Sequence, residues 1–325
     1  MQRSLIKVAL ALAALGFAAR AVAADEDYPS KTVKIIVPFA PGGSTDVVAR
    51  ILADKLGAEF KQTFIVDNRA GASGNIGADA VAKSAPDGHT LLMGTTGVLA
   101  INGHLFRNLA FDPERDFAPV SYTSLITNIL VVNPEVPART VAELVRLARA
   151  KPGALTFASS GSGSSTHLSG ELFKSLAGVD ILHVPYRGSS QALIDVIGGQ
   201  VTMLFDNAPS SLPFIEQGKL RAIAVTSRKR LANLPDVPTL EEAGVAGYES
   251  LSWSGVVAPA GTPRAVIMRL NAAIERILAT EEVRKKLAAM GVEPVGGSPE
   301  AFAAHVRAES DKWGRLIKTA NITVN

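Results

Sequence analysis

Cysteine is absent from the 325 residues. With it go a disulfide scaffold, thiolate-bound zinc, thiolate-held iron–sulfur clusters, a thiol nucleophile and a lipid-modified N-terminal cysteine. Excess charge is scarce as well: 33 Lys plus Arg stand against 30 Asp plus Glu. The surplus lies in the first 24 residues, where Arg3, Lys7 and Arg20 have no acid beside them. Taking those three from the 33 leaves 30 bases and 30 acids, so the rest of the chain offers no attraction to a phosphate backbone and no nucleic-acid partner is expected. Beyond the first segment there is no apolar run approaching the roughly 20 residues of a membrane span. Fixed-period repeats, charge blocks and low-complexity stretches are missing too.

What is present is a globular composition, 47% hydrophobic with 28 Gly and 18 Pro, in a length that suits one large domain or two ordinary ones. The first 24 residues have the parts of a cleavable secretory signal. They are a basic start, an apolar run over 8–19, and small Ala21-Val22-Ala23 ahead of acidic Asp25-Glu26-Asp27. Cleavage after Ala23 or Ala24 leaves a soluble protein outside the cytoplasmic membrane, for which the periplasm is the natural compartment.

From there strand-like and helix-like runs alternate, the pattern of an α/β protein with parallel sheets covered by helices. Residues 33–38 read as a buried strand running into Pro41-Gly42-Gly43-Ser44-Thr45-Asp46 and a helix with Val47, Ile51, Leu52 and Leu56 on one face. Strands are expected at 63–66 and 89–93, with a helix at 75–83 between them. A long β-rich stretch, 118–132, leads to Thr140-Val141-Ala142-Glu143, which has the spacing of a capping box. A second alternating series follows over 155–225. Another β-rich stretch covers 250–258, and Thr262-Pro263 and Ser298-Pro299 each place a capping hydroxyl before a proline at a helix start. Two series separated by two β-rich connections predict two α/β lobes with boundaries near 125 and 250. The C-terminal helices then return to the first lobe, and a ligand cleft lies between the two.

Enzyme signatures fail. There is no phosphate-binding Gly-Lys-Ser/Thr loop and no His-Glu-x-x-His, and Gly71-Ala72-Ser73-Gly74-Asn75 breaks the spacing of a nucleophile elbow. The five histidines lack metal-ligand spacing, so neither metal nor cofactor is expected. Two loops stand out instead. Residues 41–46 and Gly161-Ser162-Gly163-Ser164-Ser165-Thr166 each link a strand to a helix through glycines and hydroxyls, a geometry whose free N–H groups and positive helix end receive anions. The second loop also resembles a dinucleotide fingerprint with Asp180 about 20 residues downstream. However, Thr166 stands where the third glycine belongs, and Asp180 precedes a strand instead of ending one. Thr95, Thr96, Asn102 and the pair Asp206-Asn207 lie at strand ends where cleft ligands bind. Arg187, in Tyr186-Arg187-Gly188, offers a cation. Phe39 offers a cleft wall, and Trp253 reads as core.

The chain resembles the extracytoplasmic solute receptors of tripartite tricarboxylate transporters, the Bug proteins. The resemblance covers essentially the whole mature chain. It is carried by Tyr28-Pro29, Val37-Pro38-Phe39-Ala40-Pro41-Gly42-Gly43-Ser44-Thr45-Asp46, Asp67-Asn68-Arg69-Ala70-Gly71-Ala72-Ser73-Gly74, Pro86-Asp87-Gly88-His89-Thr90-Leu91-Leu92, Val184-Pro185-Tyr186-Arg187-Gly188 and Leu234-Pro235-Asp236-Val237-Pro238-Thr239. It implies a type II-like, two-lobed periplasmic binding protein with residues 1–24 as signal, 25–125 plus 251–325 as lobe 1, and 126–250 as lobe 2. The lobes would be joined by crossing β segments at 121–132 and 250–258. It also implies a monomer without catalysis that closes on a small carboxylate and works with the large and small membrane subunits of such a transporter. The implied ligand contacts are Phe39, Gly42, Gly43, Ser44, Thr45 and Asp46 in one loop, and Ser160, Ser162, Gly163, Ser164, Ser165, Thr166 and His167 in the other, to which Thr95, Thr96 and Asp206 add from strand ends. Delivery to a sensor protein is a variant of this function. The rival class is an exported enzyme using His167 or Asp206 as a base.

Overall fold

The period-two alternation of β1 (Val33–Val37) explains the architecture. Val33, Ile35 and Val37 enter one hydrophobic cluster and Ile36 another. A strand apolar on both faces must lie inside a sheet covered by helices on both sides. The computed structural model describes residues 28–319 and 322–323; the expected signal, residues 1–24, lies outside the described residues.

The first sheet holds β2 (Phe64–Asn68), β1, β3 (Thr90–Thr95), β9 (Leu251–Pro259) and the first part of β4 (Phe117–Val132), with β10 (Val292–Pro294) also pairing with β4. β2, β1 and β3 are parallel, whereas β9 runs antiparallel to β3 and to β4. Helices α1 (Ser44–Phe60) and α8 (Arg264–Ala279) cover one face, and α2 (Asn75–Ala82) and α10 (Pro299–Thr319) the other.

The second sheet holds β6 (Leu182–Pro185), β5 (Thr156–Ser159), β7 (Met203–Asn207) and the end of β4, with β8 (Arg221–Val225) also paired to β4. Helices α4 (Val141–Ala150) and α5 (Ser165–Ala177) lie on one face, and α6 (Ser189–Ile197) and α7 (Ala208–Glu216) on the other. The parallel strands of both sheets aim their carboxyl ends at the gap between them, the place where open α/β sheets bind ligands.

The expected 118–132 connection is therefore one 16-residue strand that belongs to both sheets. Thr127 still pairs with β9, and Asn128 already pairs with β7. The capping box at Thr140 and Glu143 is present. The expected cap at Thr262 is not: the Thr262 hydroxyl donates to the Pro259 carbonyl (2.7 Å), and the helix begins one residue later, at Arg264 after Pro263. The turn 259–262 takes the hydroxyl first. The helix beyond it breaks at Thr280, which caps a separate α9 (Glu281–Ala289) by accepting from the Val283 N–H. A short π-turn (Gly97–Ile101) and α3 (Asn102–Leu105) after β3 gave no signal in the sequence. Among the described residues no helix is long and apolar enough to cross a membrane.

Candidate functional site

The two glycine loops are built alike. In the first, the Gly42 N–H donates to the side chain four residues on, Asp46 Oδ2, at 2.9 Å; in the second, the Gly163 N–H donates to His167 Nδ1 at 3.1 Å. Both glycines take φ values that a Cβ disfavours, +84° and +86°. Each loop thus folds onto its own helix and leaves the first turn of that helix open to the cleft. α1 begins after Gly43, which has no side chain to cap it, so its first-turn N–H groups point out. α5 begins after Ser164, whose hydroxyl accepts from the His167 N–H and donates to the Gly161 carbonyl at 2.6 Å.

Between these helix ends lies a cavity of about 40 Å3, room for a carboxylate group or a few waters. Of the residues expected at the site, Phe39, Gly43, Ser44, Thr45 and Asp46 line it from the first lobe, joined by Thr95 at the end of β3. Ser160, Ser164 and Ser165 face them from the second lobe. Thr95 Oγ1 is buried and has no hydrogen-bond partner among the described residues. A buried hydroxyl left unpaired costs roughly 1–3 kcal/mol, and a ligand oxygen in the cavity would remove that cost.

The other expected residues sit around this cavity. Ser162 lines a larger neighbouring cavity that shares Phe39 and Ser160 with the first. Thr96 ties strands together, donating to the Trp253 carbonyl and accepting from the Trp253 N–H at 2.9 Å. Thr166 accepts from the Ser160 N–H at 2.9 Å and closes the loop on itself, which leaves no dinucleotide cradle. Gly42 meets Ser190, and Gly163 meets Asn102, on the opposite lobe.

Asp46 holds its loop in place. Arg50 Nε donates to Oδ2 (2.9 Å) and Asn68 Nδ2 to Oδ1 (2.9 Å). Burial works against its charge, but Arg50, the Gly42 N–H and Asn68 together keep the carboxyl below its usual range.

Sequence reasoning missed Ser189, Ser252 and Ser254, treated Asn207 only as a strand-end polar residue, and preferred core packing to a cleft wall for Trp253. Trp253 is indeed buried at 2% and makes edge contacts with Phe302 and Tyr122, yet it also forms part of the cavity wall. Ser252 and Ser254 alternate along β9, with Ser250 just before it, a period-two polar pattern that the sequence displayed. Ser252 Oγ donates to Asn128 Oδ1 (2.8 Å) and bonds to Ser165 Oγ (2.6 Å), while Asn128 Nδ2 donates to Ser169 Oγ (2.9 Å). Asn128, where β4 changes sheets, is thus the hub of a buried network that fixes the start of α5.

His167 and Asp206 are both sealed. The His167 ring stacks on His183 at 4.0 Å, and burial, helped by His183 and Lys174, lowers its pKa to about 3. Burial likewise lowers His183 to about 4. Asp206 is fully buried behind Ser189. Its Oδ2 accepts from Ser210 (2.5 Å), its Oδ1 is unpaired among the described residues, and burial raises its pKa to about 6. Neither residue lines the cavity.

These shifts predict a stability profile. Between pH 4 and 6 the unfolded chain binds two histidine protons that the folded chain refuses and lacks the one proton that buried Asp206 retains. These three groups leave one extra proton on the unfolded side, and His305, which burial also lowers, adds in the same direction, so stability rises with pH by at least roughly 1 kcal/mol per unit through this window. Asp206→Asn removes the opposing contribution and should steepen the slope by roughly 1 kcal/mol per unit. Urea unfolding at pH 4.5, 5.5 and 6.5 measures both, and a stability that falls with rising pH would contradict the assignment.

Among the described residues no three of His, Cys, Asp and Glu gather as a metal would require. Two neutral helix ends and a set of hydroxyls suit an anion. They hold it without burying a full counter-charge, whose desolvation would offset much of the gain.

Residues 48–322 match the tripartite tricarboxylate transporter family receptor, TctC. The chain belongs to that family. Protein BugT of Bordetella pertussis is 38% identical over 319 residues, covering 98% of this chain and 97% of BugT. Among solved structures, R. palustris Rpa4515 with adipate is 43% identical with a TM-score of 0.90, covering 91% of this chain and 99% of that one. MatC from Rhodopseudomonas palustris with bound malate is 33% identical at a TM-score of 0.86, over 89% of this chain and all of MatC. The TctC family is a family of receptors, and the match takes in the second of the two glycine loops described above.

Proposed function

We propose that this TctC receptor is a periplasmic solute-binding protein that holds a small carboxylate between its lobes and delivers it to the membrane subunits of a tripartite tricarboxylate-type transporter. Residues 25–125 with 251–325 form one closing body and 126–250 the other. The observation that carries this reading is the small cavity between two helix N-termini, into which Thr95 presents an unpaired hydroxyl. The carboxylates bound to Rpa4515 and MatC support the ligand class. The sealed positions of His167 and Asp206 leave the rival enzyme without an accessible base.

Closure draws contacts from both lobes, so the ligand favours the closed form by its differential affinity for it. Calorimetry of residues 25–325 with di- and tricarboxylates, acidic amino acids and aromatic acids tests the reading, with Thr95→Val beside the natural protein. Saturable binding is expected for at least one class. In the Val variant, affinity should drop by about tenfold, the worth of one hydrogen bond to a charged acceptor, while the free protein becomes no less stable. Turnover of any of these acids would overturn the receptor reading.

A further inference from the structure

The small cavity adjoins a second one of about 420 Å3, and Phe39 and Ser160 belong to the walls of both. The inner space holds little beyond a carboxylate group, so the rest of any bound acid needs further room, and the adjoining cavity supplies it. The walls of the outer cavity come from the 71–74 loop on one lobe and from Ser162, Tyr186, Arg187 and Gln191 on the other.

No acid lines it, and Arg187 is its one cation. Other cations near the site are taken: Arg50 is paired with Asp46. Arg187, by contrast, is exposed and forms no ion pair or hydrogen bond with any described residue. The backbone that carries it is nevertheless fixed. The Tyr186 N–H donates to the Ser159 carbonyl (3.1 Å), the Tyr186 hydroxyl donates to Asp195 (2.6 Å), and Gly188 sits against Ala40 of the opposite lobe. The facing wall is also held in shape. Gly71, Ala72, Ser73 and Gly74 all have positive φ, and for Ala72 (45°) and Ser73 (58°) the left-handed conformation is costly.

We propose that this outer cavity is a second subsite in which Arg187 receives the distal carboxylate of the solute, so that the receptor selects dicarboxylates over monocarboxylates. The proposal rests on the carboxylate-receptor reading above and assigns the end of the ligand which that reading leaves open. The two ends are bound by different chemistry. The inner carboxylate meets neutral donors in a nearly closed space, whereas the outer one meets a guanidinium at the solvent edge, where the pair is screened by salt and contributes modestly.

The test is calorimetry of the 25–325 chain with α,ω-dicarboxylates of four to six carbons and the monocarboxylates of matching length, at low and high salt, for the natural protein, Arg187→Gln and Arg187→Lys. The natural protein should prefer the dicarboxylate by about fivefold or more at low salt, the preference narrowing at high salt. Arg187→Gln should bring the two affinities together, and Arg187→Lys should keep part of the difference. An unchanged ratio in Arg187→Gln, or a natural protein that binds both series equally, overturns the subsite and leaves the receptor standing. A natural protein that binds neither series also overturns the subsite, and the wider panel of acids named above then decides the receptor reading separately.

Discussion

Replacing Gly97 with leucine should abolish high-affinity ligand binding while leaving the free protein folded. Gly97 begins the π-turn after β3 and faces the second lobe directly. A Cβ placed on it would lie 3.0 Å from the Gly163 carbonyl oxygen and 3.3 Å from Ser164 Cα. Its φ lies outside the left-handed range, so a side chain adds no backbone strain. The obstacle is the other lobe, whose backbone cannot yield as a flexible side chain would.

The same seam runs along the whole cleft. Ser190 Oγ donates across it to the Pro41 carbonyl at 2.9 Å, Gly188 lies against Ala40, and Gly161 lies against Ser73. In this structure the lobes approach most closely where glycine backbones leave no side chain in the way. A leucine at position 97 props the lobes apart and separates the two helix ends that share the anion. With closure disfavoured by roughly 3 kcal/mol, affinity falls by about a hundredfold or more. Parting of the lobes relieves the clash by leaving the side chain in the cleft, so the unfolding free energy of the free protein should change by less than about 1 kcal/mol. Calorimetry and urea unfolding together check this, and unchanged affinity would show that the lobes do not meet at this seam when ligand is bound.

Much of the fold could be read from residues 28–319 because the signals were local. The run Val33-Lys34-Ile35-Ile36-Val37 announces a strand buried on both faces, and Thr140 with Glu143 announces a helix start; both stand where expected. The switch of β4 from one sheet to the other was not legible, because Thr127-Asn128 at the switch reads as one more polar interruption in a β-rich stretch that already holds Ser121, Thr123 and Ser124, and nothing local names the new partner.

At the candidate site, the residue types pointed to two loops that flank one cavity, but local competition decided which side-chain groups are left unengaged there. Asp46 and His167 have the chemistry of contacts, yet each has a glycine N–H four residues back to satisfy, and that near partner takes the side chain first. Ser252 and Ser254 reach the cavity from more than 80 residues beyond the second loop. Only the antiparallel pairing of Thr95 with Ser254 and of Ile126 with Ser252 brings them there.

Thr45→Phe should be the most damaging single change inside the cavity itself. Thr45 is the second residue of α1 and lines the inner cavity from the helix end. A free volume of about 40 Å3 cannot take both an aromatic ring and a carboxylate. The ring would also cover the N–H groups that would otherwise face the anion. Loss of binding by more than about a thousandfold is expected, comparable to losing several charge-assisted hydrogen bonds at once.

The fold should tolerate the change. Thr and Phe differ little in helix propensity, and the residue is only partly buried, so the ring can turn toward the cleft without displacing the core beneath Val48 and Leu52. Thr45→Ser, which keeps the hydroxyl and frees space, should bind within about threefold of the natural protein and serves as the control. The pair separates a blocked cavity from a damaged helix. A Phe variant that still binds, with the circular dichroism spectrum and unfolding midpoint of the natural protein, would place the ligand elsewhere. A Ser variant that fails would move the decisive contact from the helix end to the Thr45 side chain.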